Sequence, residues 1–355
     1  MAGVQAVYLS RCDWNPTAFL QVGTGSPARG QIERDFPELW LEPTLGHDGK
    51  YSYLVARAPA FWKADAETLA NLQDPAYRYA RPLDPLLAGV GGQLSPRCTL
   101  AGLILVQILA GGLGAVALAA FARSQRLPVV FVAVNIANPG IAGSACLLTC
   151  DALAHAISVL AWYYAETRRV CVAIGLFALA LATKEYYVLT PLALAAALAA
   201  HGHWRRASAL AILPPIPIFC WKLVLFAAFG PGEGQGNFTW PGGGMLASAT
   251  LWTTRYAPVG LLGIALVAGA LVAASAPRLP ARLRLACAVW GLLGLCLSEL
   301  VWNDPNDLLR AIGPAWWFVS WAAFRIALRS SPSPSPFASA SPRSGSALPL
   351  NSIGA

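Results

Sequence analysis

From residue 99 to residue 328 the chain is a succession of apolar runs, nearly every one closed by charged or strongly polar residues. This alternation limits the fold more than any other feature, because so much hydrocarbon cannot be hidden inside one soluble core. Nine runs are legible: 99–122, 128–148, 151–165, 170–183, 186–200, 207–229, 247–274, 285–301 and 308–328. Charged residues make up 12% of the chain, about half the proportion usual for soluble domains. With a mean hydropathy of +0.53, the chain is expected to be an all-α polytopic transmembrane helical bundle of about nine spans. A span needs about 20 residues to cross roughly 30 Å of hydrocarbon. Several runs have only about fifteen, or ~22 Å at 1.5 Å per residue. The short ones are expected among longer neighbours where a site is wet, or as re-entrant segments.

Charge is sorted along the runs. One set of ends carries Arg123/Arg126, Arg168/Arg169, Arg205/Arg206, Arg278/Arg282/Arg284 and Arg329. The other carries Asp151, Lys184-Glu185, Glu233 and Asp304/Asp307. Arginine-rich connections belong to the cytoplasm, so the acidic ends face outward. The same rule accounts for the net charge of +8 and removes any need for a nucleic-acid partner. Eight cysteines include no CxxC pair and gain no His or acidic partner at metal spacing, so neither a disulfide framework nor a metal knuckle is expected.

Residues 1–98 hold no spanning run and no signal peptide, and the layout makes them an extracytoplasmic loop carrying short amphipathic helices. An outward segment of that length implies a further spanning helix upstream of Met1, which in-frame reading of the upstream DNA would reveal. Residues 99–329 are the transmembrane domain. Residues 330–355, rich in Ser and Pro, are expected to be disordered. The loop 230–244, with Glu233, Asn237 and Trp240, is expected to be mobile over the outer face because of its glycines.

The polar residues that face outward form the candidate site. Asp48, between His47 and Gly49, is placed to act as a general base; the plainer alternative is an Asp closing a local turn. The glycine permits a tight turn or close approach of a ligand. His47 alone is as readily a solvated neighbour. In the stretch Asp74-Pro75-Ala76-Tyr77-Arg78-Tyr79-Ala80-Arg81, two arginines three apart interleave with tyrosines. Such forks suit phosphate oxygens, on a substrate or on a lipid headgroup. Residues 81–87 read as a short amphipathic piece lying on the membrane. Asp151 suits a helix N-terminus and lies on the same side as Lys184, with which it can pair. Arg310 sits a turn inside a helix, where a cation needs a partner such as Asp304 or Asp307, or an anion.

Taken in order, these residues resemble a known family: His47-Asp48-Gly49-x-x-x-Tyr53, then Asp74-Pro75-Ala76-Tyr77-Arg78-Tyr79-x-Arg81-x-x-x-Pro85-Leu86-Leu87-Ala88, an Asp151 opening a later helix, and Thr183-Lys184-Glu185. The chain is similar, from about Asn15 to Arg329, to bacterial polytopic membrane glycosyltransferases of the GT-C type. More narrowly, it resembles membrane proteins implicated in cell-surface glycopolymer formation. It departs from that pattern at Lys50, where Gln is usual, and at Pro82-Leu83-Asp84 before Pro85. The resemblance implies Asp48 as the base acting on an acceptor. It implies Arg78 and Arg81 on a donor phosphate, and His47, Tyr51, Tyr77, Asp151, Lys184, Glu185 and Arg310 in the same substrate cavity. The implied partners are a polyprenyl-phosphate-linked sugar, a glycan or lipid acceptor, and membrane lipids. The implied setting is the bacterial inner membrane, with the site on the periplasmic or exterior face. No cofactor is expected; a divalent metal is left open but not indicated, because only one strong carboxylate is placed in the first loop. Two other readings stay open: a transporter or flippase for a lipid-linked glycan, and a non-catalytic subunit of a glycopolymer assembly. Transport needs polar groups through the bilayer depth, whereas His155, Lys222, Arg255, Glu299 and Arg310 are few and scattered inside the runs.

Overall fold

The computed structural model describes residues 1–44, 46–92, 94–232, 236–252 and 256–330. Glu233, Arg255 and the expected disordered tail beyond Ser330 lie outside the described residues.

The described chain is helical almost throughout. The first part folds into α1 (Ala2–Leu9), α2 (Arg29–Asp35), α3 (Gly49–Arg57), α4 (Ala66–Asn71), α5 (Pro75–Tyr79) and α6 (Leu83–Gly92). A two-residue parallel pairing of β1 (Val22–Gly23) with β2 (Leu41–Glu42) ties its loops together. Then come α7 (Pro96–Ser124), α8 (Val129–Ile136), α9 (Pro139–Cys146), α10 (Asp151–Glu166), α11 (Val170–Thr183) and α12 (Leu189–Ala200). The chain continues with α13 (Trp204–Ile212), α14 (Pro215–Phe229), α15 (Gly243–Ala249), α16 (Ala257–Ser275), α17 (Ala281–Cys296), α18 (Glu299–Asn303) and α19 (Pro305–Ser330).

Nine spans are not supported. Among the described residues, four helices are long and apolar enough to cross a bilayer: Pro96–Ser124, Trp204–Phe229, Ala257–Ser275 and Pro305–Ser330. A fifth arises if α8 and α9, bent by 43° at Ala137-Asn138, count as one. The shortfall is geometric. Helices α10 and α17 have 16 residues each and α11 has 14, so they reach only ~21–24 Å at 1.5 Å per residue. The run expected over 186–200 opens as a 3₁₀ turn, Glu185–Val188, before α12. Apolar composition alone does not separate a span from a short helix wrapped by other helices.

The surface is inside-out in the manner of a membrane protein. Leu105, Leu109 and Val116 on α7, and Phe219, Leu223 and Phe226 on α14, are exposed, an arrangement that water penalises and lipid does not. Helix α6 shows the same inversion: Asp84 is 1% exposed while Leu86, Leu87 and Val90 face out.

The described residues of 1–98 are packed rather than an open loop, and they share their core with the helices that follow. Phe19, Leu20, Phe36, Tyr53 and Leu54 share one cluster with Leu100, Leu103, Leu153 and Ile157. A second cluster is aromatic, with Phe121, Trp162, Trp317, Phe318 and Trp321 interlocked largely edge to face. Four helices run between the two ends of the molecule. At one end stand Asp151, Lys184, Glu185 and Leu297; at the other stand Glu166, Val170, His201 and Arg282.

Candidate functional site

Asp48 immediately precedes α3, yet its side chain makes no capping hydrogen bond. Gly49 has no room for a Cβ, which would lie 2.5 Å from the Phe19 carbonyl oxygen. Its freedom therefore serves a close approach to the protein's own backbone rather than to a ligand. With the start of α3 fixed there, the Asp48 carboxylate accepts a hydrogen bond from Arg78 Nη1 at 2.8 Å and meets Arg310 Nη2 at 3.4 Å. The turn-forming role is not how this side chain is used.

The arginines come from α5 and the residues just after it. Asp74 caps that helix through the Tyr77 amide, with Pro75 at the first helical position, a pairing that favours helix initiation. Arg78 and Arg81 then lie about one turn apart on the same side. Arg78 stacks on the Tyr51 ring at 3.7 Å, and Arg81 lies over Tyr77 at 4.4 Å. Arg81 also donates two hydrogen bonds to Glu185, at 3.0 and 3.1 Å, and one to the Tyr77 hydroxyl at 2.8 Å. The Tyr51 hydroxyl donates to Gln73. Both tyrosines thus support arginines.

Arg310 is the hub. It is 6% exposed and stands among three carboxylates, with Asp151 at 3.2 Å, Asp307 at 3.1 Å and Asp48 at 3.4 Å. Its backbone is set by close packing: a Cβ on Gly140 would lie 2.1 Å from the Leu309 carbonyl oxygen, so α9 touches α19 at this turn. Pro314 has no amide proton for the Arg310 carbonyl, and the Tyr186 hydroxyl lies 3.4 Å from that oxygen. Tyr186 donates to Asp151 at 2.6 Å, and Lys184 Nζ stands 3.2 Å from the same carboxylate oxygen. Asp151 is 0% exposed, so its charge is matched entirely by protein groups.

The sequence-derived residues therefore converge, with one at the margin. His47 lies 4.0 Å from Asp304, away from the arginines. Asp304 caps the start of α19 through the Asn306 and Asp307 amides, leaving Asp307 as the closer partner of Arg310. Two residues were not anticipated from the sequence. Tyr186 is signalled only by its place after Lys184-Glu185. Asp84 is a carboxylate on an apolar helix, bonded to Gln107 Nε2 at 3.2 Å. Lys50, another departure from the family pattern, is buried and donates to the His47 carbonyl at 2.9 Å.

Electrostatics separate the two aspartates. Burial by itself would raise the Asp48 carboxyl, but the Arg78 and Arg310 guanidiniums hold it well below the usual carboxylate range. Burial pushes Asp84 up to about 7, with the nearby Asp151 charge adding to the effect. A cavity of about 460 Å³ opens above this network, with Asp48, Tyr77, Lys184 and Arg310 on its polar side and Leu293, Leu297 and Val301 on its apolar side. A smaller recess of about 40 Å³ joins Asp48, Tyr51 and Arg78 to Asp84. Asn237 and Phe238 also line the larger cavity. The second half of the 230–244 loop is pinned rather than free: Ser298 N donates to Asn237 O at 2.9 Å and Thr239 N to Cys296 O at 2.8 Å. Backbone pairing overrides the freedom its glycines suggest. Among the described residues no group of three His, Cys, Asp or Glu side chains is arranged to hold a metal ion.

Comparison of the chain with protein-family models, with curated proteins and with solved structures returned no match.

Proposed function

We propose that the chain is a membrane glycosyltransferase that moves a sugar from a polyprenyl-phosphate donor to a glycan or lipid acceptor at the membrane surface. The observation that supports this best is one carboxylate shared by two arginines beside a half-apolar cavity: Asp48 between Arg78 and Arg310. Four cations (Arg78, Arg81, Lys184 and Arg310) face four carboxylates (Asp48, Asp151, Glu185 and Asp307), so the charges of the ion-paired groups balance. An arriving phosphate competes with Asp48 for its arginines. Once they turn to the phosphate, the Asp48 carboxyl rises toward the range where a general base is effective.

Transfer then balances in charge. The acceptor hydroxyl oxygen forms a bond to the anomeric carbon while its proton passes to Asp48. The bond between that carbon and the phosphate oxygen breaks from the opposite face, with inversion. The electron pair leaves with the polyprenyl phosphate. Asp48 loses its negative charge as the leaving phosphate gains one, so the arginines stabilise charge where it develops. The lipid product stays in the bilayer, which gives a reason for the apolar side of the cavity. In this reading the site faces the periplasm or exterior of a bacterial inner membrane.

The test is release of polyprenyl phosphate from a short-chain polyprenyl-phosphate sugar by the purified full chain in proteoliposomes. Asp48→Asn should lower turnover by about 10²–10⁴-fold with expression and thermal midpoint retained. Near-normal turnover in this variant would remove Asp48 from the role.

A further inference from the structure

At the opposite end of the same helices lies a second cavity, of about 400 Å³, whose polar residues are Glu166, Arg168, His201, His203, Arg206 and Arg282. That volume is within the usual range for small-ligand sites, about 300–1,000 Å³. Its walls come from the ends of α10 and α12 and the starts of α11, α13 and α17. Deeper in, Val170, Leu194, Leu198 and Leu210 make an apolar lining.

The charge there is one-sided. Three arginines face one glutamate, and Arg282 is already committed to Glu166 at 2.5 Å. Glu166 is further engaged by the Trp162 indole N–H at 3.1 Å. Arg168 and Arg206, both exposed to solvent at the cavity mouth, have no ion-pair partner among the described residues. The His201 ring lies 2.7 Å from the Ala197 carbonyl through Nδ1, which fixes that nitrogen as the donor and leaves Nε2 as the other ring position.

Arg168 is placed at the cavity by the end of α10. It is in the left-handed backbone region, at φ +63°, where α10 ends. The Arg169 amide bonds to the Tyr164 carbonyl and the Arg168 amide to the Ala165 carbonyl, the paired closure in which this position is usually glycine. The same closure with an arginine ends α7 at Arg126.

We infer that this cavity binds a phosphate group, with Arg168 and Arg206 as its principal ligands. Guanidinium forks match phosphate oxygens, and the apolar lining accepts the first carbons of whatever carries the phosphate. Two sources share this chemistry, the headgroup of an anionic phospholipid and a free phosphate. The inference does not rest on the transferase reading, since none of its residues belongs to the Asp48 cluster.

The experiment titrates the delipidated full chain in detergent with two probes, short-chain phosphatidic acid and inorganic phosphate. Short-chain phosphatidylcholine serves as the zwitterionic control. Each titration is repeated on Arg206→Gln and on the double variant Arg168→Gln/Arg206→Gln. The expected result is saturable binding of phosphatidic acid, at least tenfold weaker in the double variant and weakened by raising salt. Phosphatidylcholine should bind no more tightly to wild type than to the variant. If inorganic phosphate binds with the same dependence on the two arginines, the source is free phosphate; if phosphatidic acid alone does so, it is lipid. The double variant is checked by its thermal midpoint, and Arg206→Gln alone should show an intermediate loss. Failure of both probes to bind, or equal binding by wild type and both variants, overturns the inference.

Discussion

The two ends of the bundle use arginine in opposite ways. At the Asp48 end each arginine is matched by a carboxylate, and Arg310 meets three. At the Glu166 end Arg168 and Arg206 face the cavity with no carboxylate paired to them among the described residues. Helices α10, α11, α12 and α17 link the two ends, with Asp151, Lys184 and Glu185 at one and Glu166, His201 and Arg282 at the other. A neutral, fully paired cluster binds an anion only by breaking an internal pair, so it suits a site where charge moves during reaction. A cavity with surplus positive charge holds an anion without rearrangement. In the proposed readings, carboxylate supply is what separates an exchange site from a holding site.

The sharpest way to break this comparison is to remove one cation at each end. Arg310→Leu leaves the fully buried Asp151 with Lys184 as its remaining cation and the Tyr186 hydroxyl as its donor, and loss of about 3–5 kcal/mol of stability is expected, as for other broken buried pairs. Arg206→Gln at the other end should leave the denaturation midpoint unchanged. Denaturation of both variants in one detergent decides it, and equal midpoints would show that the Arg310 cluster is not a buried network.

Tyr186→Phe is next in size. It removes the hydroxyl that donates to Asp151, and about 1.5–3 kcal/mol is expected for a hydrogen bond to a charged group. Lys184 keeps the carboxylate partly paired, so the loss should stay below that of Arg310→Leu in the same measurement.

A smaller effect belongs to Asp84 and appears only as pH dependence. Its folded carboxyl titrates near about 7, above the ordinary value of about 3.9 for an unfolded chain. The folded protein keeps a proton that the unfolded chain releases, so stability falls as pH rises from about 4 to about 7 and then levels off. Asp84→Asn removes this slope: relative to wild type, the variant should gain thermal stability between pH 5 and pH 8. A constant difference across that range would rule out a retained proton on Asp84. Smallest of all is Arg97→Ala, which breaks an exposed pair with Glu38. It should leave the thermal midpoint within measurement error, as solvated surface pairs do.

Much of this was legible in the sequence. Helical class followed from apolar runs closed by charge; sorting those ends by sign put Asp48, Arg78, Asp151, Lys184 and Arg310 on one face, and their grouping in one cavity was what the resemblance implied. The span count was not legible. The 14-residue α11 and the 19-residue α16 are similarly apolar, and their lengths, fixed by where each helix ends in the fold, distinguish them. The roles of Tyr51 and Tyr77 were also hidden, because a tyrosine beside an arginine reads the same whether it faces a sugar or supports the guanidinium. Asp84 was read on a helix lying at the surface, and its inward rotation depends on Gln107 across the α6–α7 contact. The pinning of Asn237 to the 296–298 segment joins residues some sixty positions apart, beyond what local glycine content can convey.

The central claim is that Asp48 occupies the arginines that a donor phosphate must take. Binding of polyprenyl phosphate, the leaving product, to wild type and to Asp48→Asn tests it directly. With the competing carboxylate neutralised, the variant should bind the lipid phosphate about tenfold or more tightly, equivalent to ~1.4 kcal/mol or more, while failing to catalyse transfer. Equal or weaker binding by Asp48→Asn would contradict the account.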